Sequence, residues 1–378
     1  MVRRRRITFV LTGRGLAGGN RVVAIYGNAM IKRGYDVTIV CRRPRLPLHP
    51  IRLCKRLYAT ARATLGLDRD HFDAFNGTFI LTDWDALAGG VPDGDAVLAT
   101  HWTTAEAVAG LSAKKGEKFY FIQHYEACSF DPHKVDATWR LPLRKIVVAG
   151  WLKDLARARF GDETTVVIPN GVDPLQFDAG PRPIHDPPCV GFMYSRIPWK
   201  GSAVAAEAIR EARQAIPDLR VVCFGTQAPD KRLSVPTGTT FWLKPAQNRI
   251  RDIYALADVW LLPSTTEGFG LPGLEAMACR CPVIATCCGG PQEYLQDGVN
   301  GYLVPVGDAQ VMAKRIVGLT SDESLHQRLS DAAYETRLRF AWESSVTAFE
   351  RTLFGAGVSR GDHEPASPGG TVLSFNQG

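Results

Sequence analysis

Short apolar runs recur along the chain, separated by stretches in which apolar residues return every three or four positions. A short apolar run bounded by glycine or turn residues reads as a buried strand, and the wider spacing reads as one face of a helix. Ile7–Thr12 is such a run. A glycine-rich turn over 13–19 follows it. Val22, Tyr26, Ala29 and Met30 then mark one face of a helix over 20–33, which Gly34 ends, and Asp36–Cys41 is a second run. Strand, helix and strand in that order predict a βαβ unit, hence a parallel sheet with helices on both faces. Further strands are expected at 96–100, 119–123, 145–149 and 165–169.

Residues 180–188 read GPRPIHDPP, four prolines in nine positions without periodicity, which predicts a linker. Beyond it the alternation resumes, with strands at 189–194, 220–224, 259–262 and 283–286. Helices are expected at 203–214, 250–256, 273–279 and 340–354. The expected organisation is α/β, with Rossmann-like halves at 1–180 and 181–338 that share no direct sequence repeat. A helix in 339–355 is expected to return to the first half. The tail 356–378 is poor in apolar residues and is expected to be disordered.

The 378 residues, 45% apolar and 22% charged, suffice for two cores. Net charge is +7 and uneven: residues 37–67 hold seven Lys or Arg and no acidic residue. Residues 51–65 read as a basic amphipathic helix, with Ile51, Cys54, Tyr58, Ala61 and Leu65 on one side. Peripheral contact of 42–65 with an anionic membrane is one reading, and packing on the domain core is the other. No run approaches the roughly 18 apolar residues of a membrane span. The apolar stretch after Arg3–Arg6 is too short for a signal peptide. The nine cysteines form no CxxC pair and no zinc spacing, which suggests buried thiols and a cytoplasmic protein. No nucleic-acid partner is expected.

Two glycine-rich turns carry candidate chemistry. Gly13-x-Gly15-x-x-Gly18, between strand and helix, has the form of a dinucleotide fingerprint. The acidic residue an NAD site needs after the second strand is replaced by Arg42 and Arg43, which would suit NADP, so an NADP-dependent oxidoreductase is one alternative. The second turn is Glu267-Gly-Phe-Gly-Leu-Pro-Gly-Leu-Glu275. Gly268 and Gly270 free the backbone to turn, and Pro272 suits a first helical turn. Backbone amides at a helix start attract anions. Carboxylates on either side would be repelled by phosphate but would accept hydrogen bonds from sugar and ribose hydroxyls. A ligand with both diphosphate and sugar parts follows.

The block STTEGFGLPGLEAMACRCPVIAT, with GGPQEYLQDGVNGYLVPVGD after it, resembles the Glu-x7-Glu signature region of glycosyltransferase family 4. VVIPNGVD at 166–173, SRIPWKG at 195–201 and GGNRVVAIYGNAMIKRGYDV at the front fit the same family in order. The resemblance implies a GT-B fold, two Rossmann-like domains facing a central cleft, the first binding the acceptor and the second the nucleotide-sugar donor. It implies that Glu267 with Gly268 and the amides of Phe269, Gly270 and Leu271 hold the donor sugar and phosphate. Glu275 would hold the ribose, and Arg196 and Lys200 the diphosphate. Gly18 and Gly19 would face it from the other domain, which reassigns the front loop from cofactor fingerprint to cleft wall. His124 would lie near the donor sugar, with Glu126 a weaker candidate. The implied catalytic set is Glu267, His124, Arg196 and Lys200. Transfer of a hexose with retention is implied, without metal or cofactor beyond the nucleotide-diphosphate sugar, to a glycan or lipid-linked acceptor in polysaccharide or glycoconjugate biosynthesis. Asp83-x-Asp85 and Asp93-x-Asp95 read as loop acids, not metal motifs. Arg280 stands where the family usually has glycine and is expected on the surface. A non-catalytic sugar-nucleotide-binding protein is the remaining alternative.

Overall fold

A computed structural model describes residues 3–43, 70–230 and 232–355. The expected helix at 51–65 and the tail 356–378 lie outside the described residues. Among the described residues, seven strands form the first sheet: β1 (Arg6–Leu11), β2 (Asp36–Arg42), β3 (Thr78–Thr82), β4 (Ala96–Ala99), β5 (Glu117–Ile122), β6 (Arg144–Val147) and β7 (Val166–Val167). Six form the second: β8 (Cys189–Tyr194), β9 (Arg220–Gly225), β10 (Thr240–Leu243), β11 (Val259–Leu262), β12 (Val283–Thr286) and β13 (Tyr302–Val304). The orders are β3-β2-β1-β4-β5-β6-β7 and β10-β9-β8-β11-β12-β13. Neighbouring strands pair in parallel throughout, as in β1 beside β2 and β4, and β11 beside β8 and β12. Two Rossmann-like domains result, and they share a winding that no sequence repeat reveals.

Central strands such as β1, β4 and β11 are almost wholly apolar because helices cover both sheet faces. β3 and β10 escape the pattern of apolar runs for the complementary reason. They are sheet edges, half-buried, with Leu81 and Leu243 exposed. Unanticipated helices follow several strands, among them Trp102–Ala109 and Gly150–Phe160.

In each sheet the winding direction reverses once, between β1 and β4 and between β8 and β11. The loops leaving the C-terminal ends of strands at such a reversal diverge and leave a crevice. Residues 13–17 leave β1, and His101 and Trp102 leave β4. The turn at 195–201 leaves β8, and the glycine turn at 263–270 leaves β11. Every element predicted to hold ligand therefore starts at a switch point or at the adjoining β5.

Residues 180–188 carry no helix or strand, but they are held in place. Arg182 donates to the carbonyls of Cys279 and Ala257, and the buried Asp258 carboxylate accepts from the backbone N–H groups of His185 and Cys189. The chain returns beside its first crossing. Val172 N–H donates to Phe340 O at 2.8 Å, and a Cβ on Gly171 would lie 2.5 Å from the Trp342 nitrogen. The last described helix, Trp342–Phe354, packs on the first domain. The Phe349 ring lies 4.5 Å from Tyr26 and 6.1 Å from Phe9, and Arg33 pairs with both Glu343 and Glu350.

Candidate active site

Helix α1 (Gly18–Lys32) opens directly from the front loop. Its N-cap is Ala17, with no side-chain cap among the described residues and no acidic residue in its first turn, so its first amides are open to an outside acceptor there. Asn20 donates to the carbonyls of Gly13 and Gly15 and holds the loop's shape. Gly18 has open space where a side chain would stand. The Gly19 carbonyl accepts from Gln123 Nε2 at 3.1 Å, which ties the loop to the end of β5.

Across the cleft, the glycine turn after β11 leads into α2 (Leu271–Ala278). Gly270 adopts the left-handed conformation, φ +84°, that lets the chain enter the helix, and Tyr294 OH donates to its carbonyl. No described side chain caps this helix either. Among the described residues, the amides of Phe269, Gly270 and Leu271 donate to no other group.

Glu267 is buried. Its Oε1 accepts from Lys200 Nζ and from Ser264 Oγ, both at 2.7 Å. Lys200 reaches it because Gly201, φ +71°, turns the chain hard against Pro263. Arg196, grouped with Lys200 by the sequence, points elsewhere. It is half exposed and donates to the Ala228 carbonyl at 2.7 Å. Glu275 is also buried. One oxygen meets the Arg21 guanidinium from α1 of the other domain, and the other accepts from Tyr254 OH at 3.0 Å. Arg21 also lies over the Phe177 ring. Sequence reasoning missed Arg21, since nothing local marks one arginine on a helix as the partner of a residue 254 positions away.

The first domain closes directly on the glycine turn. A Cβ on Gly268 would fall 1.8 Å from the Gln123 carbonyl oxygen, and Trp151 Nε1 donates to Gly268 O at 3.0 Å. Glu293 accepts from Gly150 N–H at 2.6 Å, a carboxylate at the start of the helix Gly150–Phe160. His124 sits beside the Lys200–Glu267 pair, its ring 5.0 Å from that of Trp199. Burial lowers its pKa, and the nearby Glu267 charge opposes that shift. Its Nδ1 faces the Tyr125 carbonyl at 2.9 Å, and its Nε2 is buried. Glu126 lies one step away. It accepts from Trp102 N–H at 2.7 Å and stands 3.3 Å from His101 Nε2, and burial raises its pKa to about 8.

Arg280 is not simply a surface residue. Its φ is +59°, its guanidinium stacks on Tyr334 and bonds Asp331 at 2.6 Å, and its side chain is mostly covered. The left-handed backbone explains why glycine suits this position. Cys279, Cys281 and Cys288 are buried as expected, whereas Cys287 is exposed. Asp95 accepts from Arg6 N–H at 2.7 Å, Asp93 pairs with Lys115 and Asp83 with Arg43, so these acids have partners in the protein. No described helix is long and apolar enough to cross a membrane.

Known proteins resemble this chain in sequence over part of its length and in fold. Residues 188–322 match the family model for group 1 glycosyl transferases. The chain is 40% identical over 109 residues to N-acetyl-alpha-D-glucosaminyl L-malate synthase of Bacillus anthracis, covering 29% of each. It is 27% identical over 253 residues to D-inositol 3-phosphate glycosyltransferase of Segniliparus rotundus, covering 64% of this chain and 51% of that one. The matches thus span about half or less of these curated relatives. Among solved structures, Anabaena HepE with UDP and glucose superposes with a TM-score of 0.72 at 18% identity, covering 93% of this chain and 99% of that one. Sucrose-phosphate synthase of Thermosynechococcus elongatus superposes with a TM-score of 0.68 at 19% identity, covering 93% and 100%. The fold is GT-B.

Proposed function

We propose that this chain is a retaining glycosyltransferase that moves a hexose from a nucleotide-diphosphate sugar to a glycan or lipid-linked acceptor. The observation that carries the reading is the buried Lys200–Glu267 pair beside the uncapped start of α2, with the uncapped start of α1 opposite. The diphosphate would lie on the amides of Phe269–Leu271 and on Lys200, with Gly18 and Gly19 across the cleft. Arg196 would have to leave the Ala228 carbonyl to join them. Glu267 would accept from donor-sugar hydroxyls and Glu275 from the ribose. A carboxylate offers about four lone-pair positions, so Glu275 can keep Arg21 and Tyr254 and still take a hydroxyl.

As the C1–O bond to the diphosphate breaks, charge grows on the leaving oxygen, where fixed positive groups are worth most. The acceptor oxygen bonds C1 on the same face, and its proton passes to the departing phosphate. Retention by this route needs no protein nucleophile, which suits a site whose two carboxylates are already bonded to a lysine and an arginine. Lysine and two helix starts supply the charge that a metal would otherwise bring. HepE is solved with UDP and glucose, which makes a UDP-sugar the first donor to test. Synthesis of cell-surface polysaccharide or glycoconjugate is the setting proposed.

A thermal-shift series with UDP-, GDP- and dTDP-sugars and NADP, each with and without EDTA, tests this. A matching nucleotide sugar at a hundred times its Kd should stabilise by about 2.7 kcal/mol. EDTA should change nothing, and Glu275→Ala should erase the response. A response to NADP alone overturns the proposal. Release of free nucleotide over time separates an enzyme from a sugar-nucleotide-binding protein.

A further inference from the structure

A second cluster lies beside the Lys200–Glu267 pair on the first domain. His101 and Trp102 leave β4, a switch-point strand, and Glu126 and Phe130 follow β5. Their rings form one group: His101 to Phe130 at 5.4 Å, Trp102 to Phe130 at 5.7 Å and His101 to Trp102 at 5.9 Å. Phe130 is 46% exposed, and the buried indole N–H of Trp102 has no hydrogen-bond partner among the described residues. The Glu126 carboxylate, hydrogen-bonded to Trp102 N–H and facing His101, stands at the edge of the rings.

The cluster is continuous with the donor side. Ser129, next to Phe130, accepts from Trp199 Nε1 at 2.8 Å, and the Trp199 ring lies 4.4 Å from Lys200 Nζ. A molecule resting on Phe130 is therefore one residue from the contact that leads to Lys200 and Glu267.

We propose that His101, Trp102, Glu126 and Phe130 form a carbohydrate-binding subsite that holds a sugar ring of the acceptor. A sugar ring has an apolar C–H face for aromatic walls and a rim of hydroxyls for a few placed polar groups. An acyl chain would fit the rings but would bury the partly exposed Glu126 carboxyl and His101 imidazole against hydrocarbon, at a cost in lost hydrogen bonding. The acceptor role rests on the glycosyltransfer reading, whereas sugar binding does not.

Saturation-transfer NMR on the full chain, with cellobiose, N-acetylglucosamine and octyl β-D-glucopyranoside as probes, tests the subsite. Saturation should reach ring protons in all three. Phe130→Ala, at an exposed position, should weaken binding about tenfold, a change of about 1.4 kcal/mol, while the melting temperature and its response to UDP stay as in the unaltered chain. Trp102→Phe, which keeps a ring and removes the N–H, should weaken it less. Unchanged sugar signals in Phe130→Ala, saturation confined to the octyl protons, or no transfer to any probe overturns the inference. Failure of the UDP response with sugar binding intact counts against the donor reading instead.

Discussion

Glu267 and Glu275 are eight positions apart and both buried, yet their partners differ in kind. Glu267 is held within its own domain by Lys200 and Ser264. Glu275 is held across the cleft by Arg21 and within its domain by Tyr254. Removing one partner of a buried ion pair strands the other charge, which typically costs 3–5 kcal/mol. Arg21→Met should therefore lower stability by about 3 kcal/mol, and adding Glu275→Gln should recover part of the loss. Urea unfolding of the two single variants and the double variant measures the coupling. Strictly additive effects would show that the two residues do not act as a pair. The sequence marked both glutamates because their spacing around a glycine turn is local. It could not mark Arg21, whose role depends on how two domains meet, and it grouped Arg196 with Lys200 although their side chains diverge.

At the scale of elements, the glycine turn between β11 and α2 has two distinct requirements. Gly270 needs its left-handed backbone, while Gly268 needs the absence of a Cβ because the Gln123 carbonyl occupies that space. Gly268→Ala should leave each domain folded but hold them apart. Misplacing catalytic groups by about 1 Å can cost roughly a hundredfold, so kcat should fall by about that factor, while UDP binding, which loses only the contacts from the first domain, weakens by less. Steady-state kinetics alongside UDP titration would check it, and unchanged kcat would mean that the closed contact is not used in turnover. The strands at the sheet centres were legible because burial on both faces leaves a plain apolar run. The edge strands β3 and β10 were not, since half-burial gives no such run. The linker 180–188 was legible as irregular chain, but its anchoring by Arg182 and Asp258 was hidden in contacts with distant residues.

At the scale of the molecule, two domains of like winding face each other across loops that leave their switch points, and the chain crosses between them twice along one seam, where Val172 pairs with Ala341. The return crossing delivers Phe349 to Phe9, Tyr26 and Phe121. Deleting a buried phenylalanine ring typically costs 3–5 kcal/mol. Phe349→Ala should lower stability by about that much, with the loss concentrated in the first domain. Hydrogen exchange resolved by peptide would show faster exchange in α1 and β5. Faster exchange confined to the second domain would contradict the packing.

That same packing bears on how the protein is made. Domains tend to fold in the order in which they leave the ribosome. Here the first sheet is finished by residue 167, but the helix that covers Phe9, Tyr26 and Phe121 is synthesised only after the strands of the second domain. During translation of the whole second domain, the first therefore waits with an aromatic face uncovered. A nascent chain stalled before Trp342 is the form most exposed to chaperones and to aggregation, and synthesis of the helix Trp342–Phe354 seals the first domain.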